Sequence, residues 1–470
     1  MHKTIMLRQL FTLGVGTIVG VAWLMVLGPV IAGAGPIGAV IAFIIGAVAM
    51  IPIALCYAEL SGVLPHAGGE IVYAFEIFGT RLAYVAGLCL AFIYIINCVF
   101  FAVSVGWLVN KLVPGIEGRT LYSLLGERLH FGDLVIGMVG TLLIAVANFR
   151  GVKTATQLQD WATYALLCAS GIFIVAGLVS GDLHNLRPWF AHSDWGLGAG
   201  GVLGILAVTP YFFGGFNTIP QALGELQNSK DREKVAGLLV GCLMASLVFY
   251  CLVLIAVSMA LPRDRLLSFD LPVAGAFAAA FASKALGDLV LFSGLVGLIA
   301  VWNALFFAAT RVLYALGRSY LLHPRLGVLD QRRGSPGAAI ALVAVLTLIG
   351  IVLGKGVLLP VVNVTSTLFA VMYLIVTAGV LRYRSSGAVV ARSYRVPGAT
   401  ALVWFGVVFS AYLVGLSLYQ QYQATTGRLP VEWVLLLAFA IAGVTFWNFS
   451  RATRSRLSAT ARRQVILEIS

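Results

Sequence analysis

The chain carries little charge. Only 10% of its 470 residues are Asp, Glu, Lys or Arg, against 60% hydrophobic, and the mean hydropathy is +0.98. A soluble domain carries about 25% charged residues, so this deficit excludes a water-soluble fold. Acids are the scarcer sign, 18 against 31 basic residues, for a formal charge of +13. The excess does not point to nucleic acid, because the basic residues stand in short loops between apolar segments, as topology signals do. Each of the six cysteines, Cys56, Cys89, Cys98, Cys168, Cys242 and Cys251, falls inside an apolar run. That placement reads as small buried hydrophobes and excludes a disulfide framework or metal spacing. The histidines lie in loops or at span ends without H-E-x-x-H, and there is no P-loop, which argues against a metalloenzyme and an ATP-driven pump. The sequence predicts no enzyme, no metal and no cofactor.

What the chain has instead is long apolar runs. A spanning helix needs about 20 mostly apolar residues. Twelve such spans fall near 9–34, 37–63, 80–112, 132–149, 155–180, 200–226, 232–261, 286–318, 336–354, 357–381, 398–420 and 431–450. The first is no signal peptide, because its apolar run outlasts an h-region of about 7–15 residues and many spans follow. An even count puts both termini on one side. With the N-terminus inside, 22 of the 31 basic residues face the cytoplasm, while the acids divide 9 and 9. The positive-inside rule therefore predicts cytoplasmic termini. No stretch reads as a soluble domain, so 1–450 forms a single transmembrane unit. The basic tail 451–470, from Arg451, is expected to act as a topology anchor beside anionic lipid.

Two spans are broken by glycine at a similar depth. The first holds Gly14-Val15-Gly16-Thr17-Ile18-Val19-Gly20. The second holds Phe212-Phe213-Gly214-Gly215-Phe216-Asn217, after Pro210. Every N–H and C=O that leaves a helix inside a bilayer must find another partner, so a break is tolerated only in protein or beside a cavity. Two breaks in corresponding halves point to a substrate site. The competing reading of Gly16-x-x-x-Gly20 is close helix approach. A dinucleotide site is excluded, because the spacing is not G-x-G-x-x-G and no strand precedes it.

The order of motifs resembles the amino acid–polyamine–organocation superfamily of permeases. After the first break come Gly35-Pro36, Tyr57-Ala58-Glu59-Leu60, Pro65-His66-Ala67-Gly68-Gly69 and Phe78-Gly79. Phe213-x-Gly215-Phe216, Glu225-x-x-Asn228, Thr310 to Arg318 and Tyr394-Arg395-Val396-Pro397-Gly398 follow in register. The resemblance implies an all-α membrane fold of twelve helices with two inverted five-helix repeats, about 9–180 and 200–381. Helices 1 and 6 are discontinuous, and two peripheral helices occupy about 398–450. It implies secondary transport of an amino acid or related small amine by alternating access at the plasma (inner) membrane. Proton-coupled symport leads. Exchange without proton coupling, and a substrate-sensing receptor on the same fold, are the alternatives. The expected partners are the small molecule, protons and membrane lipid, with no nucleic acid, in a monomer or homodimer.

The resemblance also assigns site residues. Gly20-Val21-Ala22 stands where the family carries Gly-Ser/Thr-Gly, whose free amides receive a carboxylate. Here the hydroxyl and second glycine are missing, but the amides remain. Tyr211 falls at an aromatic gate position, where a ring can stack on a ligand or simply pack. Phe213, Gly214 and Gly215 form the second break. Asn217 replaces an acid common in relatives, so that position cannot carry a proton. Tyr94 and Asn97, with Ile93, would face the site from span three, and Trp302 and Asn303 from span eight. Asn97 and Asn303 read equally as bridges between helices, and Trp23 and Trp302 as packing. Some relatives hold a coupling lysine in span five, a position that falls near Leu166 here, with no lysine from Thr154 to the end of that span. The ionisable candidates for coupling or gating are Glu59, Asp160, Glu225 and Arg311. Glu59, Glu225 and Arg311 read equally as braces, and Asp160 is the first to test as a proton carrier.

Overall fold

Apolar runs that must satisfy their own backbone become helices, and the computed structural model is helical almost throughout. It describes residues 6–64, 69–124, 126–150, 155–191, 199–223, 226, 233–331, 333–386, 394–398, 400–425 and 429–468. The first run is broken into α1 (Leu7–Val19), α2 (Ala22–Met25) and α3 (Leu27–Ala34). Then come α4 (Pro36–Val63), the short α5 (Glu70–Phe78) and α6 (Thr80–Leu112). A small antiparallel hairpin follows, β1 (Thr120–Leu124) with β2 (Glu127–His130). Helices α7 (Phe131–Arg150) and α8 (Ala155–Ser180) lead to the second broken run, α9 (Ala199–Phe213) and α10 (Thr218–Ala222). The rest comprises α11 (Val235–Ala260), α12 (Arg263–Leu266), α13 (Pro272–Ala280), α14 (Lys284–Arg318), α15 (Gly337–Ile351), α16 (Leu358–Ser385), α17 (Ala401–Gln423), α18 (Val431–Phe449), α19 (Arg451–Arg454) and α20 (Ala459–Glu468).

Among the described residues, 11 stretches are long and apolar enough to cross a membrane. The expected ninth span, 336–354, appears as α15, an apolar helix of 15 residues. At 1.5 Å per residue it is about 22 Å long, short of a hydrocarbon core of about 30 Å. The chain is a multi-pass membrane protein. Its surface fits that solvent: Trp404, Phe405, Val408, Leu437, Ile441 and Phe449 of α17 and α18 point outward. The cysteine expectation needs one correction. Four cysteines are buried, but Cys251 is half-buried and Cys168 is exposed on the outer face of α8. An apolar thiol faces lipid as readily as core.

Helix α14 lies along α6 and α8, α11 along α4 and α8, and α16 along α9 and α17. The broken helices are enclosed by these longer ones. Glu59, fully buried on α4, takes a fork from Arg384 of α16 at 2.9 and 2.5 Å. It also accepts the Val396 amide at 2.8 Å. The Tyr394–Gly398 motif is thereby tied to two spans. The basic tail folds back through α20 onto α5. Arg463 forks onto Glu76 with two 2.8 Å bonds. The buried Arg462 donates to the carbonyl of Ser319, just past α14, at 3.1 Å, as cations do at helix C-termini, and Ile466 is buried.

Candidate functional site

The first break is narrower than the glycine run. Gly14 and Gly16 remain helical in α1. A Cβ at Gly14 would lie 2.6 Å from Ile219 and 2.8 Å from Cys242, so this glycine serves close packing. The helix ends at Gly20, with φ +44° and ψ −138°, a conformation that L side chains rarely adopt. The amides of Val21, Ala22 and Trp23 then find no acceptor among the described residues. The second break comes one turn after Pro210, which lies inside α9. It is the turn 214–217, with Gly215 at φ +109°. A Cβ on Gly215 would stand 3.0–3.1 Å from atoms of Thr17. The two breaks therefore touch, and glycine allows the approach.

One side chain answers for the freed carbonyls of both. The hydroxyl of Tyr250, on α11, lies 2.7 Å from Ile18 O, 3.3 Å from Val19 O and 3.1 Å from Phe212 O. It has a single proton to donate, shared between the end of α1 and the end of α9. Its ring is fixed among Phe43, Phe212, Phe213 and Phe249 at centroid distances of 5.3 to 5.8 Å.

Between the breaks is a narrow cavity of about 50 Å³, room for a few waters. Ten expected residues line it: Gly20, Val21, Ala22, Ile93, Tyr94, Asn97, Tyr211, Gly214, Gly215 and Asn217. Thr17, Ile18, Phe101, Thr218, Val301, Leu305 and Phe369 complete the wall, and among the described residues none on it is charged. Asn97 donates to Ile93 O at 2.8 Å and to Thr365 Oγ1 at 3.1 Å, so it also bridges α6 and α16. Asn217 donates from Nδ2 to Glu70 Oε1 at 2.9 Å, with Tyr94 Oη at 3.4 Å.

Four expected residues lie off the cavity wall. Trp23 donates to Gly20 O at 3.2 Å and stacks on Phe173 at 5.4 Å, bracing the break from behind. Phe213 packs between Phe43 and Tyr250. Trp302 lies against Gly140 of α7, where a Cβ would be 3.0 Å from its ring. Asn303 accepts from Asn148 Nδ2 at 2.9 Å and joins α14 to α7. Helix phase sends these side chains to neighbouring helices. Of the coupling candidates, Glu59 is in the Arg384 fork, and Arg311 is exposed with its guanidinium 4.5 Å from the Phe307 ring centre. Asp160 falls on α8, where its side chain lies outside the described residues, as does Glu225 altogether. Leu166 is buried against α14. A Cβ at Gly297 would meet its methyls at 3.2 and 3.3 Å and Gly20 O at 3.3 Å. Hydrocarbon occupies the flank of the first break.

Sequence reasoning missed Tyr250 and Glu70. Tyr250 sits in an apolar run with no motif around it. Glu70 follows Gly69 directly, and an acid at the head of an otherwise apolar segment was the signal available.

Comparison with known proteins finds relatives by sequence. A sequence model of the family described as "Amino acid permease" matches residues 5–440. The methylthioribose transporter of Bacillus subtilis is 27% identical over 329 residues, 68% of each chain. The branched-chain amino acid permease BcaP of Lactococcus lactis is 26% identical over 419 residues, 88% of this chain and 89% of its own. The aspartate-proton symporter of Bacillus subtilis is 24% identical over 460 residues, 93% of this chain and 84% of its own.

Proposed function

The chain belongs to the amino acid permease family, and from that premise we propose that it carries an amino acid with a neutral, apolar side chain across the cell membrane, in symport with protons. The observation that carries this reading is the uncharged cavity held between two touching helix breaks. The free amides of Val21 and Ala22 offer donors to a substrate carboxylate, in the place where a half-helix ends. Asn97 and Asn217 supply side-chain amides. Ile18, Ile93, Phe101, Val301 and Leu305 offer an apolar wall to the side chain, as small-molecule sites commonly do. A charged side chain would find no counter-charge on this wall, and burying it unpaired is costly. A free amino acid is larger than a few waters, so the cavity must widen to admit it. In this reading Tyr211 is the aromatic gate and the Glu59–Arg384 fork braces the inner side. Asp160, Glu225 and Arg311 remain coupling or gating candidates.

The architecture proposed with this function is twelve spans, α15 serving as the ninth. Two inverted repeats cover about 9–180 and 200–381, with α17 and α18 peripheral and both termini cytoplasmic. The relatives named for branched-chain amino acids and for aspartate with protons support, respectively, the substrate class and the coupling ion. The test is reconstitution in liposomes with a panel of labelled L-amino acids. The expected result is counterflow of leucine, isoleucine or valine, and their accumulation when the outside is made acidic. Absence of uptake and counterflow for every amino acid, in well-folded protein, sinks the transporter reading. Counterflow that ignores an imposed pH gradient converts it to exchange.

A further inference from the structure

Asn217 stands where an acid is common in relatives, yet an acid is present beside it. Glu70, the first residue of α5, is fully buried, and its Oε1 accepts Asn217 Nδ2 at 2.9 Å. The two residues are 147 positions apart. Asn217 lines the cavity and Glu70 lies behind it. Tyr57, Tyr73 and Tyr373 are buried phenols on α4, α5 and α16, the last two on helices that pack together. The hydroxyl of Tyr373 has no hydrogen-bond partner among the described residues.

We propose that Glu70 is the proton-carrying residue of this permease and that Asn217 is the positioning residue that reports its protonation to the substrate cavity. The inference rests on the transport reading above. A carboxylate is acceptor-only, so the ionised Glu70 holds Nδ2 and leaves Oδ1 as the amide atom available to the cavity side. Protonation forms an O–H bond on one carboxyl oxygen. The neutral acid is then donor as well as acceptor, and the amide is released to turn. The O–H bond breaks again when the site opens to the side of lower proton concentration, so one proton crosses per cycle and no other bond changes. A substrate that touches Asn217 must favour one protonation state, and a proton must change substrate affinity by the same factor. A proton suits this enclosure better than Ca²⁺ or Mg²⁺, which take six or more oxygen ligands. Among the described residues, the titratable or charged groups facing α5 are few. They are Tyr57 on α4, Tyr94 on α6, Tyr373 and Arg382 on α16, Arg463 on α20, and Tyr73 and Glu76 on α5 itself. Arg382 bonds Ile77 O and Arg463 bonds Glu76, both at the far end of α5.

The test uses full-length protein in liposomes with the membrane potential clamped, and labelled L-leucine or whichever amino acid of the panel gives counterflow. At one proton per substrate, one pH unit drives about tenfold accumulation in the wild type. Glu70→Gln is expected to keep counterflow while accumulation falls to no gradient at all, with counterflow no longer dependent on pH. Wild-type accumulation by Glu70→Gln overturns the inference and leaves the transport reading standing. So does wild-type counterflow that no pH gradient drives. Absence of counterflow in the wild type fails the transport reading itself. Should Glu70→Gln not fold, Glu70→Asp decides: it keeps the acid and lengthens the contact to Asn217, and is expected to shift the pH midpoint of uptake. An unchanged midpoint in a folded Glu70→Asp protein overturns the assignment.

Discussion

Tyr250→Phe removes one hydroxyl and nothing else. The ring keeps its four aromatic neighbours at 5.3 to 5.8 Å. The carbonyls of Ile18, Val19 and Phe212, at 2.7, 3.3 and 3.1 Å from the hydroxyl, lose their shared donor. Only one proton is lost, so the cost is that of one unsatisfied buried carbonyl, about 1–3 kcal/mol, and not three times that. This is about 5- to 150-fold in any equilibrium that breaks the contact. Water entering the neighbouring cavity would push the value to the low end. The assay is thermal unfolding of purified protein together with initial uptake in liposomes. Tyr250→Phe is expected to melt earlier and to transport more slowly. Tyr250→Ala, which also empties the space of a buried ring, is expected to lose about 3–5 kcal/mol, read as a lower yield of folded protein. If Tyr250→Phe equals the wild type in both stability and uptake, the hydroxyl does not hold the breaks together and the reasoning fails.

Gly215→Ala places a methyl 3.0–3.1 Å from Thr17 atoms at φ +109°, and is expected to abolish counterflow in protein that still purifies as a monodisperse species; normal counterflow would show that the breaks need not touch. Glu59→Gln leaves Arg384, whose side chain is 7% exposed, without its counter-charge. Loss of about 3–5 kcal/mol is expected, read as a lower unfolding midpoint, with partial recovery in Glu59→Gln/Arg384→Met. The Lys111 ammonium, 2.7 Å from Asp270, holds that carboxyl below its usual range. A depressed folded pKa stabilises above the unfolded value of about 3.9 and is lost as the pH falls through the folded one. The side chains are 38% and 65% exposed, so the effect is under about 1 kcal/mol. Asp270→Asn should therefore be slightly less stable at neutral pH and converge on the wild type in acid; a difference that grows in acid would refute the assignment.

The long spans were legible because a bilayer leaves the backbone no alternative to helix, and composition alone sets where that applies. The break at Gly214 and Gly215 was legible from paired glycines. The first break was drawn too long, because Gly14 and Gly16 obey helix geometry and only Gly20 leaves it; a sequence shows that a glycine is present but not its φ. Span eight left two readings open at Trp302 and Asn303, and the fold uses the packing and bridging ones; a helix of 35 residues offers many phases and hydropathy around it is nearly uniform. Asn217 was read as the loss of an acid. An acid, Glu70 of α5, accepts its side-chain amide across 147 positions, a pairing that only the fold creates. Tyr250 was invisible for the same reason, since its hydroxyl is used by carbonyls 231, 232 and 38 positions away.

The docking of α20 bears on how the molecule is made. A chain emerges from its N-terminus, so Arg463 leaves the ribosome 387 residues after the Glu76 it grips. Every apolar helix from α6 to α18 lies between the two residues in the chain, so all of them are synthesised before that contact can close. The fork is thus a late contact in the order of synthesis, and it fastens on α5, the helix that begins with Glu70. A chain that stops short of Arg462 and Arg463 inserts all its apolar segments yet lacks the fastening, which makes protection of α20 from protease a gauge of completed assembly.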